Sequence, residues 1–205
     1  MKNLAIEVLS RQNHGVVVSD LYGEGFNPTA QKWDFVTTSG GHFNYMMEQK
    51  HAANLDLAFS PDILGEIQKL KAADIVLFIT PLWWSSVPAI LKGWFDRVMA
   101  MGVAWDSGRF YEKGLLRGKQ AMFIVSAGHP APYYTTTGKH RVTPQQVLHT
   151  FNHETLAFCG FDVHEPFIAL NVLGLNDTQR LKLLQELQFR YEHMVDSPQW
   201  LTKYQ

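Results

Sequence analysis

The stretch Ala72–Arg97 constrains the fold more than any other part of this sequence. Within it, Asp74–Thr80 is a short, continuous apolar run, which is typical of a strand buried on both faces of a parallel sheet. Pro81 cannot donate to the next ladder position, so we expect the chain to leave the sheet at Pro81-Leu82. A proline then suits the first turn of a helix that the apolar spacing predicts over Pro88–Met99. The stretch therefore predicts a buried strand, an exit loop and a helix in succession.

Two large aromatic residues, Trp83 and Trp84, lie in that exit loop. In open α/β sheets, ligands bind in the crevice outside the carboxyl ends of the strands. A strand that ends in Pro-Leu-Trp-Trp therefore predicts a flat, apolar ligand laid against this edge of the sheet. The alternative is that both tryptophans only fill the core, but neighbouring residues on one loop cannot both point into the same core.

The rest of the chain alternates strands with helices, which is the pattern of a doubly wound α/β fold. Apolar spacing and capping residues predict helices over Met1–Gln12, from Ser60 to the strand at Asp74, over Pro144–Cys159 and over Asp177–Val195 (with Asp177 as the cap), and a helical turn at Tyr45–Ala53. Apolar runs predict further strands at Gly15–Asp20, Lys119–Ser126 and Asp162–Ala169. We interpret residues 1–205 as one domain with no internal repeat or linker.

A second exit loop, Ala127-Gly128-His129-Pro130, follows the strand that ends at Ser126. Because the strands are expected to be parallel, this loop should leave the sheet at the same edge as the two tryptophans. Its small residues allow the backbone to approach a ligand closely. The loop continues through Tyr134 to His140, and so brings titratable side chains towards the same edge.

Composition excludes several classes of function. With a formal net charge of −1 over 205 residues, the chain carries no electrostatic footprint for nucleic acid. No apolar run approaches the ~20 residues of a membrane span, and the amino terminus has no signal-peptide pattern, so we expect a cytoplasmic protein. The single Cys159 lies in an apolar context and is interpreted as an inert buried thiol, and the histidines show no spacing typical of a metal site.

Four segments carry a resemblance to a known family. They are PLWW with VPAILKGWFDRV after the first exit loop, SDLYGEGFNP at Ser19–Pro28, SPDILGEIQKLKAAD at Ser60–Asp74, and FCGFDV at Phe158–Val163. The sequences of these segments closely resemble those of the flavodoxin-like NAD(P)H:quinone oxidoreductases. The resemblance implies a flavodoxin-like fold, a bound FAD or FMN, hydride transfer from NAD(P)H to quinones or similar aromatic acceptors, and a homodimer whose sites are built from both subunits.

The resemblance also implies which residues form the site. Tyr134 and His140 stand where the family places a tyrosine and a histidine that face the flavin and relay protons, although residues six apart in a Gly/Thr-rich loop can also be merely exposed. The positions that would contact the cofactor are Pro81, Leu82, Trp83, Trp84, Ser85, Ser126, Ala127, Gly128, His129 and Gln49. The positions that would contact substrate are Trp84, Trp105, Phe161, Tyr134 and His140. Structural packing is an equal interpretation for Trp105 and Phe161, and a solvated polar residue is the default for Gln49.

The sequence departs from the family pattern in three places. His129 stands where the family usually has a second glycine, and Ser85 stands where an aromatic residue usually follows the tryptophan. The sequence begins inside what would be the first helix, so the family's first strand and phosphate loop are not among its residues, and we expect reduced or absent flavin binding. The alternative function is therefore a flavin-free member of the family that binds or transforms an aromatic small molecule without redox chemistry.

Overall fold

The structure, a computed structural model, describes residues 1–195. Its helices are α1 (Lys2–Arg11), α2 (Tyr45–Asn54), α3 (Pro61–Ala72), α4 (Ala89–Val98), α5 (Pro144–Phe151) and α6 (Asp177–His193), and its strands are β1 (Ile75–Pro81), β2 (Gln120–Ser126), β3 (Asp162–Val163) and β4 (Phe167–Ala169). Short 3₁₀ turns lie at Lys32–Asp34, Tyr111–Lys113 and Ala131–Tyr133, and a π-helical turn at Asn152–Ala157 extends α5. No helix in this part of the chain is long and apolar enough to cross a membrane.

The sheet is parallel, and β2 lies at its centre. β1 pairs with one side of β2 in a register that runs from Ile75 opposite Gln120 to Pro81 opposite Ser126. β3 and β4 both pair with the other side of β2. Helices cross over between the parallel strands and cover both faces of the sheet, so the doubly wound α/β architecture expected from the sequence is confirmed.

Side chains that alternate along β2 build two cores. Phe123 packs on one face, where its ring stacks on Phe78 at a centroid distance of 5.1 Å beneath α3, α4 and α5. Met122 and Ile124 pack on the opposite face against α1 and α6, with Leu187 in the same cluster. Because all of these β2 side chains are fully buried, β2 is a rigid base for whatever follows Ser126.

The prediction of a strand at Gly15–Asp20 is wrong. These residues have no ladder partner within residues 1–195, and Val17 and Val18 are exposed. A valine-rich run favours strand geometry only where a neighbouring strand accepts its hydrogen bonds, and no strand of the described residues lies beside it. The segment is held at its end by side chains, where the Ser19 hydroxyl donates to Glu66 at 2.9 Å.

Three other predicted boundaries differ. The strand expected over Asp162–Ala169 is interrupted between β3 and β4, where Pro166 cannot donate to the ladder. The helix expected over Pro144–Cys159 changes to π-helical hydrogen bonding after Phe151. Asn176, not Asp177, caps α6, because its side chain accepts from the Gln179 amide in a reciprocal capping box.

A buried charged network links α4 to the long connection between α1 and α2 and to the start of α3. The Arg97 guanidinium donates to both carboxylate oxygens of Asp34, at 3.0 and 2.8 Å, and also to Asp62 at 2.7 Å and to the Asn27 carbonyl at 2.6 Å. Burial works to raise the pKa of Asp62, but the Ser60 and Arg97 hydrogen bonds outweigh it and the pKa is lowered. Because Arg97 and Asp34 are both almost fully buried, each supplies the charge that the other needs.

We expect Asp34→Ala to lower the free energy of unfolding by about 3–5 kcal/mol, because it leaves the buried Arg97 charge without its bidentate partner. Asp96→Ala on the same helix α4 is the matched control, since its exposed pair with Lys92 should contribute less than ~1 kcal/mol. Urea denaturation of both variants measures the difference, and equal losses would contradict the importance given to the buried pair.

Candidate functional site

The turns that follow β1 and β2 are neighbours at the carboxyl edge of the sheet. Pro81 lies opposite Ser126, and the Leu82 amide donates to the Ser126 carbonyl at 2.8 Å. The two exit loops expected from the sequence are therefore brought together at this edge. Pro81, Leu82 and Ser126 are partly buried there, while Ala127 is buried.

The first turn is a tight two-residue reversal at Trp84-Ser85. The amides and carbonyls of Trp83 and Ser86 exchange hydrogen bonds of 2.9 Å on either side of it. Both central residues have positive φ, 51° at Trp84 and 55° at Ser85, as a type I′ turn requires. This geometry leaves the Trp84 side chain completely exposed, so the core-filling alternative is excluded for it.

The second turn is fixed to the loop after β4. The Ala127 amide donates to the Ala169 carbonyl at 2.8 Å, and the Asn171 amide donates to the His129 carbonyl at 3.0 Å. Gly128 is exposed, and a Cβ built on it would meet no atom within 4 Å. The backbone is therefore held in place while the space beside Gly128 stays open.

Four backbone amides of the two turns donate to no acceptor within residues 1–195. They belong to Trp84, Ser85, Gly128 and His129, and all four residues are exposed. Unpaired amides that face open space on a fixed backbone are ready to donate to the acceptor atoms of a ligand. The edge can thus hold a group that carries several oxygen or nitrogen acceptors.

The aromatic and imidazole side chains of residues 129–140 form one cluster, which we call the His129–His140 cluster. The rings of Tyr134 and His140 stack at a centroid distance of 4.6 Å, and His140 Nε2 lies 3.0 Å from His129 Nδ1. Tyr133 stacks on His129 at 5.1 Å on the other side. The exposed-loop alternative for Tyr134 is excluded, because it is buried, and burial raises the pKa of its phenol.

Tyr133 of this cluster and two residues next to it, Gly138 and Lys139, were missed at the sequence level. Lys139 donates to the Tyr133 hydroxyl at 3.2 Å and lies over the same ring. Gly138 allows residues 138–140 to fold back on residues 132–133, since a Cβ there would lie 2.4 Å from the Pro132 carbonyl oxygen. The return is closed by the His140 amide, which donates to the Tyr133 carbonyl at 3.0 Å. A glycine between the predicted tyrosine and histidine was the available signal.

Three other candidate residues lie away from the cluster. Gln49 is buried, and its amide group binds the Asp96 carbonyl at 2.9 Å and the Met101 amide at 3.3 Å, so its polar atoms serve the fold. Phe161 is buried in the core below the sheet. Trp105 is half-buried and contacts the Phe158 ring at 5.7 Å. Within one chain, packing describes the surroundings of all three.

The expectation of an inert thiol agrees with the structure. Cys159 is buried in the core, and burial raises the pKa of its thiol to about 12. At neutral pH such a thiol stays protonated and is a poor nucleophile. Among residues 1–195, no group of three or more histidine, cysteine or acidic side chains could hold a metal ion.

Comparisons with known proteins match this geometry. The family described as having a flavodoxin-like fold matches residues 1–192. The human ribosyldihydronicotinamide dehydrogenase [quinone] is 44% identical over 171 residues, which cover 82% of this chain and 73% of the human protein. The chain belongs to the flavodoxin-like quinone oxidoreductase family. The resemblance noted in the sequence and the expectation of an oxidoreductase of this family are thereby confirmed.

Two further members of the family extend the match. The rat NAD(P)H dehydrogenase [quinone] 1 is 35% identical over 194 residues, covering 94% of this chain and 70% of the rat protein. The solved structure of a Klebsiella pneumoniae protein assigned as a quinone reductase superposes with a TM-score of 0.88 at 33% identity, covering 95% of this chain and 78% of that one. The similarity therefore extends over nearly all of the chain.

We expect Gly138→Ala to open the return between residues 132 and 140, because its Cβ would lie 2.4 and 2.6 Å from the carbonyl oxygens of Pro132 and Tyr133. The stacking of His140 on Tyr134 should be lost, and the free energy of unfolding should fall by about 1–3 kcal/mol. Ring-current shifts of the His140 protons in NMR spectra report the stacking. Gly15→Ala, where a Cβ meets nothing within 4 Å, is the control and should leave those shifts in place.

Proposed function

We propose that this chain is a cytoplasmic flavoprotein that transfers hydride from NAD(P)H to quinones or similar electron-poor aromatic compounds. The observation that carries the proposal is that available backbone amides and a stacked tyrosine–histidine pair lie in the loops at one edge of the sheet. Four exposed backbone amides of the turns after β1 and β2 have no acceptor within residues 1–195, and the Tyr134–His140 stack belongs to the second of these loops. Family membership supports the same reaction, since relatives are named as quinone dehydrogenases.

The residues at this edge fit the ring system of a flavin. An isoalloxazine is flat and carries carbonyl oxygens and ring nitrogens along its edge, which match the amides of Trp84, Ser85, Gly128 and His129. The open space beside Gly128 allows the close approach that such contacts need. A flavin bound here supplies the redox chemistry, because it takes up hydride from a reduced nicotinamide and passes it to an acceptor.

The chain's own residues handle the proton. Reduction of a quinone by hydride places negative charge on its oxygen, and a positioned imidazole and phenol can each donate a proton to that oxygen. His140 is held by its ring contact with Tyr134 and by its amide bond to the Tyr133 carbonyl. We assign His140 and Tyr134 as the catalytic residues and the exposed Trp83 and Trp84 as the apolar wall of the site.

We expect the purified protein to bind FAD or FMN, and to oxidise NADH or NADPH when a simple benzoquinone is added. Tyr134→Phe and His140→Ala should lower kcat/KM by roughly 10²-fold or more, as for the loss of a general acid. His14→Ala, at an exposed position that follows α1, is the matched control. Chromatography of the released cofactor identifies the flavin, and parallel assays with NADH and NADPH identify the reductant. Ligand binding by a colourless, inactive protein would favour the flavin-free alternative.

A homodimer is part of the proposal. Phe110 is exposed and stacks on Phe158 at 5.3 Å, next to the half-buried Trp105, so an aromatic surface is available for a second copy.

We expect light scattering to give twice the chain mass and Phe110→Glu to shift the protein towards the monomer. Phe189→Glu, at another exposed phenylalanine on α6, should leave the mass unchanged. A wild-type protein that is monomeric at micromolar concentration would contradict this part.

A further inference from the structure

We propose that His129 is the positioning residue for His140, accepting a hydrogen bond that fixes which nitrogen of His140 carries the reactive proton. The inference rests on the proposed function and deepens it. Its basis is the 3.0 Å distance between His140 Nε2 and His129 Nδ1, with ring centroids 4.9 Å apart.

At this distance, one of the two nitrogens must carry the hydrogen and the other must accept it. Two protonated imidazoles would turn an N–H of each ring towards the other, so the bond cannot form when both rings are cations. The paired state therefore holds at most one positive charge. One histidine orients the bond, and the other can carry the charge.

The donor is assigned to His140 because that direction survives proton transfer. When His140 is protonated, its Nε2–H donates to the neutral His129, and its Nδ1–H is left to serve a substrate. Once the Nδ1 proton has moved to a quinone oxygen, the neutral His140 still donates through Nε2. With the opposite direction, the same bond would have to be broken and remade in every cycle.

The surroundings hold both rings in place. The His129 carbonyl accepts from the Asn171 amide at 3.0 Å, and the His129 ring stacks on Tyr133. His140 is fixed through its own amide and through its stack on Tyr134. His140 Nδ1 bonds to no group within residues 1–195, so this is the nitrogen available to a ligand.

The nature of the orienting group is informative. A histidine that moves protons is usually oriented by a carboxylate, which also stabilises the imidazolium. No Asp or Glu of residues 1–195 hydrogen-bonds to either ring, and the neighbouring Lys139 donates to the Tyr133 hydroxyl at 3.2 Å. A neutral imidazole supplies the orientation without adding a negative charge beside His140. The proton balance is complete: hydride and one His140 proton convert the quinone to the hydroquinone, and solvent reprotonates His140.

The test compares His129→Ala with His129→Asn. The asparagine side-chain oxygen lies about where Nδ1 stands in histidine and can accept the same bond, whereas alanine cannot. Long-range ¹H–¹⁵N NMR spectra of the ligand-free protein should show His140 as the Nε2–H tautomer in the wild type and in His129→Asn, and as a mixture of tautomers in His129→Ala. Loss of the bond should lower kcat on the order of tenfold with little change in KM, and His129→Asn should recover most of the rate.

The spectra decide the inference independently of turnover. If wild-type His140 is the Nδ1–H tautomer, or if His129→Ala leaves its spectrum unchanged, His129 does not position His140 and the proposal is overturned. The expected spectra from a protein that binds no flavin would support the pair while contradicting the proposed function. His14→Ala serves as the control for both readouts.

Discussion

The parallel pairing of β1 with β2 is the interaction on which the rest of the structure depends. The register continues without a break from Ile75 opposite Gln120 to Pro81 opposite Ser126, so both strands end at the same level. Because parallel strands leave a sheet at one edge, the turns that follow must be neighbours whatever their own sequences are. A slip of one residue in this register would turn Phe123 away from Phe78. Every side chain of β2 would then face the core on the opposite side of the sheet. The hydrophobic cores that fix the register therefore also create the site.

Much of this architecture could be predicted from the sequence because its signals are local. Continuous apolar runs identified β1 and β2, and apolar spacing together with capping residues or a proline in the first turn identified α3 and α4. The strand expected at Gly15–Asp20 failed because strand formation needs a partner, which is a non-local condition. The π-helical turn after Phe151 could not be predicted either, because a change of hydrogen-bond register leaves no signal in the amino-acid composition.

The candidate site shows the same division. Its location followed from strand order, and Tyr134 and His140 were identified by resemblance and are brought together. The contact between His140 and His129 could not be predicted, because it depends on how residues 132–140 fold back at Gly138. The surroundings of Gln49 also could not be predicted from the sequence. A glutamine on a helix reads as solvated, yet here its amide bridges two backbone groups in the interior.

Helix α4 connects the buried Arg97 network with the strained turn at Trp84-Ser85. Arg97, near its carboxyl end, is fixed by Asp34 and Asp62, while its amino end at Ala89 follows the Trp84-Ser85 turn after only a few residues. Positive φ at two non-glycine residues costs roughly 1 kcal/mol each, and such backbone persists only where its surroundings hold it. Here the β1–β2 register holds one side of the turn and the anchored helix holds the other.

The strain has a chemical consequence at the edge of the sheet. A relaxed loop between Trp83 and Ser86 would be free to turn its amides towards its own carbonyls. The tight reversal instead leaves the amides of Trp84 and Ser85 without an acceptor among residues 1–195, next to the amides of Gly128 and His129, which also lack one there. Backbone donors held in this way need little reorganisation when a ligand arrives, which is the advantage of preorganisation in binding and catalysis. The buried network around Arg97 thus supports a surface whose backbone donors find no acceptor in the part of the chain that the structure describes.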